Sequence, residues 1–269
     1  MTSPRPPARG ILVAMEGIDG AGKSTQAEHL TGIFRARGYA VASLREPTVS
    51  PWGRRLRESM TGDRRVLAPS QELDLFLQDR RYDVAAHILP ALAARKLVLM
   101  DRYYFSTIAY QGALGIEPEH IRRLNEAFAP VPDVVLLLLV SPAQGLARIR
   151  RARGRAEGVF EREDYLAKVH EVFHTLTGPH IHPIDAVQPI DVVTSAMQQK
   201  IQGSVFMQVV VLETGGVGDV QVTKSLDAKY GLDQEAIKAV KQWKFKPGMR
   251  ADKPVAVEVA IEMTFTLKK

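Results

Sequence analysis

The chain of 269 residues contains no cysteine, which excludes a disulfide framework and any thiolate metal centre. It also lacks a long hydrophobic run. The longest fully apolar stretch, Val134–Val140, falls far short of the roughly 20 residues that a membrane-spanning helix needs. The amino terminus, Met1-Thr2-Ser3-Pro4-Arg5-Pro6-Pro7-Ala8-Arg9, carries charge and proline but no apolar core of a signal peptide. These absences read as a soluble, cytoplasmic protein with no membrane partner. A basic arm is missing too. The formal net charge is +6, with 25 basic against 22 acidic residues through position 193 and 11 against 8 beyond it. An excess spread so evenly does not suggest a nucleic-acid-binding surface. What remains is an ordinary globular composition, 45% hydrophobic, in a chain long enough for one large domain or two smaller ones.

The most informative stretch lies near the start. An apolar run of strand length, Ile11-Leu12-Val13-Ala14-Met15, leads into Glu16-Gly17-Ile18-Asp19-Gly20-Ala21-Gly22-Lys23-Ser24-Thr25-Gln26, and a helix-forming segment follows. Strand, glycine-rich turn and helix are the setting of a phosphate-binding P-loop. Gly17, Gly20 and Gly22 allow a tight turn that brings backbone N–H groups to phosphate oxygens. The new helix adds its positive end. Lys23, expected at the phosphate end of an exposed loop, reaches the β- and γ-phosphates, and Ser24 can ligate Mg²⁺. Gly17 to Thr25, including Ile18, Asp19 and Ala21, is thus the candidate nucleoside triphosphate site.

Beyond it, strands alternate with helices. Short apolar runs at Tyr39–Leu44, Lys96–Asp101, Val134–Val140 and His180–Ala186 are separated by helical segments. Ser70–Leu92 reads as one long helix that Pro90 ends or kinks. Strands that are apolar throughout predict an α/β fold: a parallel sheet with helices on both faces. Ligands bind off the carboxyl ends of such strands. Gly17–Ser24, Arg45–Thr48 and Asp101–Ser106 all lie there. Near residue 190 the pattern changes. Val205–Val211 and Val217–Thr223 read as strands around a Gly215-Gly216 turn, and Leu232–Phe245 as a helix with Asp233 as its N-cap. Val255–Leu267 alternates apolar and polar residues, as in a strand with one wet face. A second, α+β domain of order β-β-α-β is therefore expected, with residues 1–193 in the first domain and 194–269 in the second. Thr194–Gln202 reads as a helix running from one into the other.

A P-loop implies ATP and Mg²⁺ but not the fate of the γ-phosphoryl group. Arginines are supplied from several segments: Arg45, Arg80, Arg102, and the cluster Arg148, Arg150, Arg151, Arg153 and Arg155. An acceptor that is itself a phosphate, with a second pKa of about 6, is already ionised at neutral pH and needs no general base. Its enzyme must hold two anions together and neutralise the transferred group.

Several separated motifs now converge. The P-loop string, Arg45-Glu46-Pro47-Thr48, Phe76 with Arg80 four residues on, Asp101-Arg102-Tyr103 to Ser106, Ala109-Tyr110-Gln111, and Ile184-Asp185-Ala186 together resemble thymidylate kinase over residues 10 to about 190. The resemblance implies a dTMP kinase using ATP and Mg²⁺, acting as a homodimer. It further implies that Asp19 accepts a hydrogen bond from the sugar 3′-hydroxyl, that thymine stacks on Phe76, and that Arg80 donates to a thymine carbonyl. Arg102 would hold the acceptor phosphate with Arg45 as helper, and Ser106 belongs to the same substrate-binding set. Asp101 would attend the Mg²⁺ shell or Lys23, Tyr110 would press on the sugar, and Gln111 would meet the base edge. Where some relatives carry a basic P-loop residue this chain has Gly20, so the charge falls to a lid arginine among Arg148, Arg151, Arg153 and Arg155; Arg153 is carried forward as the catalytic candidate with Lys23, Asp101 and Arg102. The Asp-Arg pair often found before the lid's closing Glu is replaced here by Gly158-Val159-Phe160-Glu161.

Residues from about 194 to 269 resemble a different family, the C-terminal domain of TonB-type energy transducers. The matching stretches are Ala196-Met197 to Gly203, Val217-Gly218-Asp219-Val220, Ser225-Leu226-Asp227, Tyr230-Gly231-Leu232-Asp233 and Trp243-Lys244-Phe245-Lys246-Pro247-Gly248. That resemblance implies a module that binds a protein partner by strand addition. The alternative to a kinase is a nucleotide-sensing protein whose second module adds a strand to a partner, with little turnover.

Overall fold

A computed structural model of the chain describes residues 9–60, 66–153, 162–201, 203–224, 232–250 and 253–265. Arg155, Gly158-Val159-Phe160-Glu161, Ser225-Leu226-Asp227 and Tyr230-Gly231 lie outside the described residues, and so does the side chain of Arg153. The chain divides into two compact units, the first running to Met197 and the second starting at Gln198.

In the first unit the elements are β1 (Ile11–Glu16), α1 (Lys23–Ala36), β2 (Val41–Arg45), α2 (Pro51–Met60), α3 (Pro69–Asp83), α4 (Leu89–Ala93), β3 (Leu97–Asp101), α5 (Tyr104–Gly112), α6 (Pro118–Glu126), β4 (Val134–Leu139), α7 (Pro142–Arg153), α8 (Glu163–Thr175), β5 (Ile181–Asp185) and the first two turns of α9 (Ile190–Ile201), whose last residues fall past the boundary. The five strands form one parallel sheet of order β2-β3-β1-β4-β5. Their apolar composition is explained by burial: every residue of β3 is buried, as is nearly all of β1 and β4. Central β1 pairs Met15 with Asp101 on one side, and β2 pairs Arg45 with the same Asp101. Register therefore carries the P-loop, Arg45 and Asp101 to one rim.

Local chemistry sets the ends of these elements. Gly38 closes α1 at a φ of 82°, a left-handed value that glycine adopts without strain. Glu117 caps α6 by accepting the N–H groups of Glu119 and His120, with Pro118 in the first turn. The long helix predicted over 70–92 is interrupted. A π-helical turn, Val84–Ile88, separates α3 from α4, and the Leu89 N–H donates to the Val84 carbonyl. Proline has no N–H to give to the preceding turn; with Pro90 in the opening turn of α4 that N–H is not required. The last helix starts at Ile190, four residues before the predicted Thr194.

In the second unit β6 (Gly203–Val211) lies between β10 (Val257–Phe265) and β7 (Val217–Lys224), antiparallel to both. Helix α10 (Leu232–Val240) supplies Ala236 and Val240 to a core with Met207 and Val209. Val259 and Ile261 pack on it from β10, as the alternation predicted. Three expectations are corrected. Helix α10 begins before Asp233, which therefore lies within it and does not cap it. It ends at Val240 and not at Phe245, because the Phe245 N–H donates to the Gly215 carbonyl at 2.9 Å and draws the chain away to the β6–β7 turn. A small hairpin, β8 (Gly248–Arg250) with β9 (Lys253–Val255), precedes β10, so the order among the described residues is β-β-α-β-β-β. Three-residue strands containing Pro254 are too short to carry a periodic signal.

Candidate active site

The turn after β1 opens the site. Gly20 has a φ of 79°, and a Cβ there would lie 2.2 Å from the Gly145 carbonyl oxygen of α7. A Cβ on Gly145 would in turn lie 2.5 Å from the Asp19 carbonyl oxygen. Two glycines thus let α7 rest directly on the loop, and no side chain fits at position 20. Helix α1 has no acidic residue in its first turn, so its positive end is left for an anion. Lys23, at the phosphate end of the loop, is itself only 5% exposed, because Nζ folds back and donates to the Ile18 carbonyl at 2.7 Å. Burial, and then the nearby Arg102 charge, push its pKa down to about 8.

Ser24 and Asp101 meet across the same space, the Ser24 hydroxyl donating to Asp101 Oδ2 at 2.5 Å. This oxygen-only pair fits a hard cation such as Mg²⁺. Arg45, 65% exposed, places Nε 3.6 Å from Asp101 Oδ2. Arg102 has a φ of 71°, a left-handed value that costs an ordinary residue about 1–3 kcal/mol. It aims the guanidinium at Asp19 Oδ1, 2.5 Å away, and at the Ser106 hydroxyl, 3.1 Å away. The Tyr110 hydroxyl donates to Asp19 Oδ2 at 2.9 Å and accepts the Asp19 N–H. Burial opposes the Arg102 charge, yet Asp19 leads the neighbours that hold its pKa above the ordinary value. Beneath it Glu16 accepts from the Ser106 hydroxyl and the Tyr103 N–H. Burial pushes Glu16 up to about 7.

A pocket of about 450 Å³ links these groups. Asp19 to Gln26, Arg45, Asp101 and Arg102 line one part. Arg148 and Ile149 of α7 and the turn from Ala186 to Ile190 line the rest. Of the four lid candidates, Arg148 stands on this wall, donating to the Gly20 carbonyl at 3.4 Å and the Ala186 carbonyl at 2.8 Å, while Arg151 is exposed.

The base-reading candidates Phe76, Arg80 and Gln111 are not among the residues that line this pocket. Phe76 is half-buried on α3. Arg80 is 1% exposed and pairs with Glu46 through Nε, at 2.9 Å, and Nη2. Its Nη1 donates to Asn125 Oδ1 at 2.6 Å and its Nη2 also to Thr107 Oγ1 at 3.1 Å. Burial raises the Glu46 pKa, and Arg80 opposes the rise. Gln111 is buried and donates to Glu72 at 3.1 Å. Sequence reasoning missed Glu16, Gln26, Glu46, Glu72, Thr107 and Asn125. Glu16, Gln26 and Glu46 sit inside the quoted motifs, yet nothing in the string marks a carboxylate or amide that folding will bury; Glu72, Thr107 and Asn125 carry no motif at all.

Comparison with known proteins fits this geometry. The family model for thymidylate kinase matches residues 15–197, and the model for the Gram-negative bacterial TonB protein C-terminal matches 194–267. A thymidylate kinase of Desulfotalea psychrophila is 44% identical over 200 residues, covering 74% of this chain and 94% of its own length. A probable thymidylate kinase of Archaeoglobus fulgidus is 42% identical over 192 residues, covering 71% and 95%. One from Xanthomonas oryzae is 43% identical over 202 residues, covering 72% and 87%. With 42–44% identity over nearly the full length of these relatives and the family model matching residues 15–197, the chain belongs to the thymidylate kinase family, and carries a TonB C-terminal-type module after the kinase.

Proposed function

We propose that this chain transfers the γ-phosphoryl group of ATP to dTMP, giving dTDP for dTTP synthesis. The observation that carries the reading is the convergence of Lys23, Ser24, Asp101, Arg102 and Arg148 on one pocket beside the P-loop. The loop from Gly17 to Thr25 holds the phosphates through its N–H groups, and Lys23 swings from the Ile18 carbonyl to the β- and γ-oxygens. Ser24 and Asp101 would hold Mg²⁺, which when bound would supply neutralisation of charge on the phosphate oxygens. Arg102 binds the acceptor phosphate with help from Arg45, and Glu16 through Ser106 keeps Arg102 aimed. The acceptor is already ionised, so no residue abstracts a proton; the arginines bring two anions into line. Arg148 or Arg153 on α7 covers the charge that Gly20 leaves unfilled.

Asp19 accepts from the sugar 3′-hydroxyl and Tyr110 fills the space at the neighbouring carbon. Phe76 stacks on thymine, and Gln111 meets the base edge. Arg80 has five N–H donors, of which four are engaged by Glu46, Asn125 and Thr107. The remaining Nη1 hydrogen can donate to a thymine carbonyl. A homodimer in the cytoplasm, where both nucleotides are found, is the proposed form. The second module is proposed as a protein-binding unit that uses an edge of its sheet, β7 or β10, to pair with a partner strand.

A coupled assay of ADP release with ATP, Mg²⁺ and dTMP tests the activity. Turnover with dTMP should exceed that with dUMP, the thymine methyl group being worth about 1–3 kcal/mol, and should exceed that with ribonucleotides. Comparable rates on AMP or CMP would indicate a general nucleotide kinase, and no ADP release with any monophosphate would indicate a nucleotide-sensing binding protein.

A further inference from the structure

We infer that Gln26 is a positioning residue that, with Thr194, clamps the 186–190 turn to α1 and so sets the end of the pocket that receives the base of ATP. Gln26 lies three residues beyond Lys23 and is 3% exposed; Thr194 is 5% exposed. The Gln26 amide Nε2 donates to the Ile190 carbonyl at 3.1 Å, and its Oε1 accepts from the Thr194 hydroxyl at 2.8 Å. The Thr194 hydroxyl also lies 2.6 Å from the Ile190 carbonyl. One amide thus uses a donor and an acceptor to join the helix that starts at the P-loop to the first turn of α9. The two partners are 168 residues apart in sequence.

The clamped segment is a wall of the pocket. Gln188, Pro189, Ile190 and Val193 line it, as do Ile149 and Ala152 of α7. The far side of the turn is tied by Arg148 to the Ala186 carbonyl. The P-loop, Lys23 and Arg102 claim the charged end of the pocket for phosphates. The aliphatic end, with Gln188 beside it, suits the flat, mostly apolar faces of a purine. A wall tied at both ends keeps that slot at one width, so ordering it costs little when the base enters. Loss of the clamp frees the Ile190 end and leaves buried polar groups unpaired.

The inference rests on reading this pocket as the ATP site, and the test separates the two. Calorimetry on the full chain with Mg²⁺ compares ATP with tripolyphosphate, which has no base. Gln26→Ala is expected to weaken ATP about tenfold, as for one or two lost buried hydrogen bonds, and to leave tripolyphosphate within twofold. Thr194→Val, close in volume, should weaken ATP in the same selective way, and Thr194→Ser, which restores the hydroxyl, should recover it. Should Gln26→Ala fail to fold, the Thr194 pair decides alone. Equal loss of both ligands, or ATP binding unchanged in a folded variant, overturns the clamp while the pocket assignment stands. Wild-type protein that binds no ATP overturns the pocket assignment itself.

Discussion

Among the described residues the first unit buries charged side chains and the second buries none. Around the parallel sheet, Glu16, Lys23, Glu46, Arg80 and Asp101 are all buried, each held by named partners. The core of the second unit is Met207, Val209, Ala236 and Val240, with valines and isoleucines packed around it, and no charged residue among its described members. Burying a charge is costly unless it is paired. In the first unit Glu16, Glu46 and Asp101 lie where β1, β2 and β3 end, and each accepts a hydrogen bond, from Ser106, Arg80 and Ser24 respectively. The second unit bears only the cost of an ordinary antiparallel sheet on a helix. Charge buried in the first unit is paired, whereas the described core of the second unit is apolar.

The comparison can be broken or sharpened by experiment. The largest effect is expected from Lys23→Ala, with kcat falling by about two to three orders of magnitude, as for loss of one donor to developing charge, while a thermal melt stays close to wild type. Turnover within about tenfold of wild type would remove the P-loop from the chemistry. Next is Arg80→Ala. Leaving Glu46 buried without its partner should cost about 3–5 kcal/mol of stability, read in a urea melt, and the KM for dTMP should rise more than that for ATP. Adding Glu46→Gln should restore part of the stability but not the KM, because only the first depends on the buried ion pair. A selective rise in the ATP KM would put Arg80 on the wrong side of the site.

A smaller effect comes from pH. Burial and Arg102 hold the Lys23 pKa down at about 8, so its charge is present below that value and lost above it. The KM for ATP should therefore rise several-fold between pH 7 and 9, and Lys23→Arg, charged throughout, should flatten the rise. A flat wild-type profile would show that Lys23 keeps its proton over that range. Least affected should be a chain ended after Gly203, because every residue given a role in phosphoryl transfer precedes it. Its dTMP turnover should stay within a few-fold of the full chain. Ending the chain before Thr194 instead should cost several kcal/mol, since Val193 and Met197 flank the cut and are buried. If the chain ended after Gly203 is dead or unfolded, the two units are one cooperative body.

The sequence by itself determined what depends on near neighbours. Five apolar residues, glycines at set spacing and a following helix define the P-loop because strand, turn and helix are made by contiguous residues. Unbroken apolar strands specify a sheet covered on both faces, and strict alternation in Val257–Phe265 specifies a sheet with one face wet. Only the tertiary structure decided what depends on partners far along the chain. The side chains that fix Arg80 come from positions 34 and 45 residues away, and the one that fixes Gln26 from 168 away. No local pattern encodes such a meeting. Gly20 is a turn residue in the sequence, but its contact with Gly145 arises only when α7 is laid on the loop. Lys23 is a surface lysine by composition, and becomes a buried one because the loop folds its own carbonyl over the amine. Local geometry is set by the backbone preferences of adjacent residues, whereas burial and charge pairing are set by the packing of elements that the chain brings together from a distance.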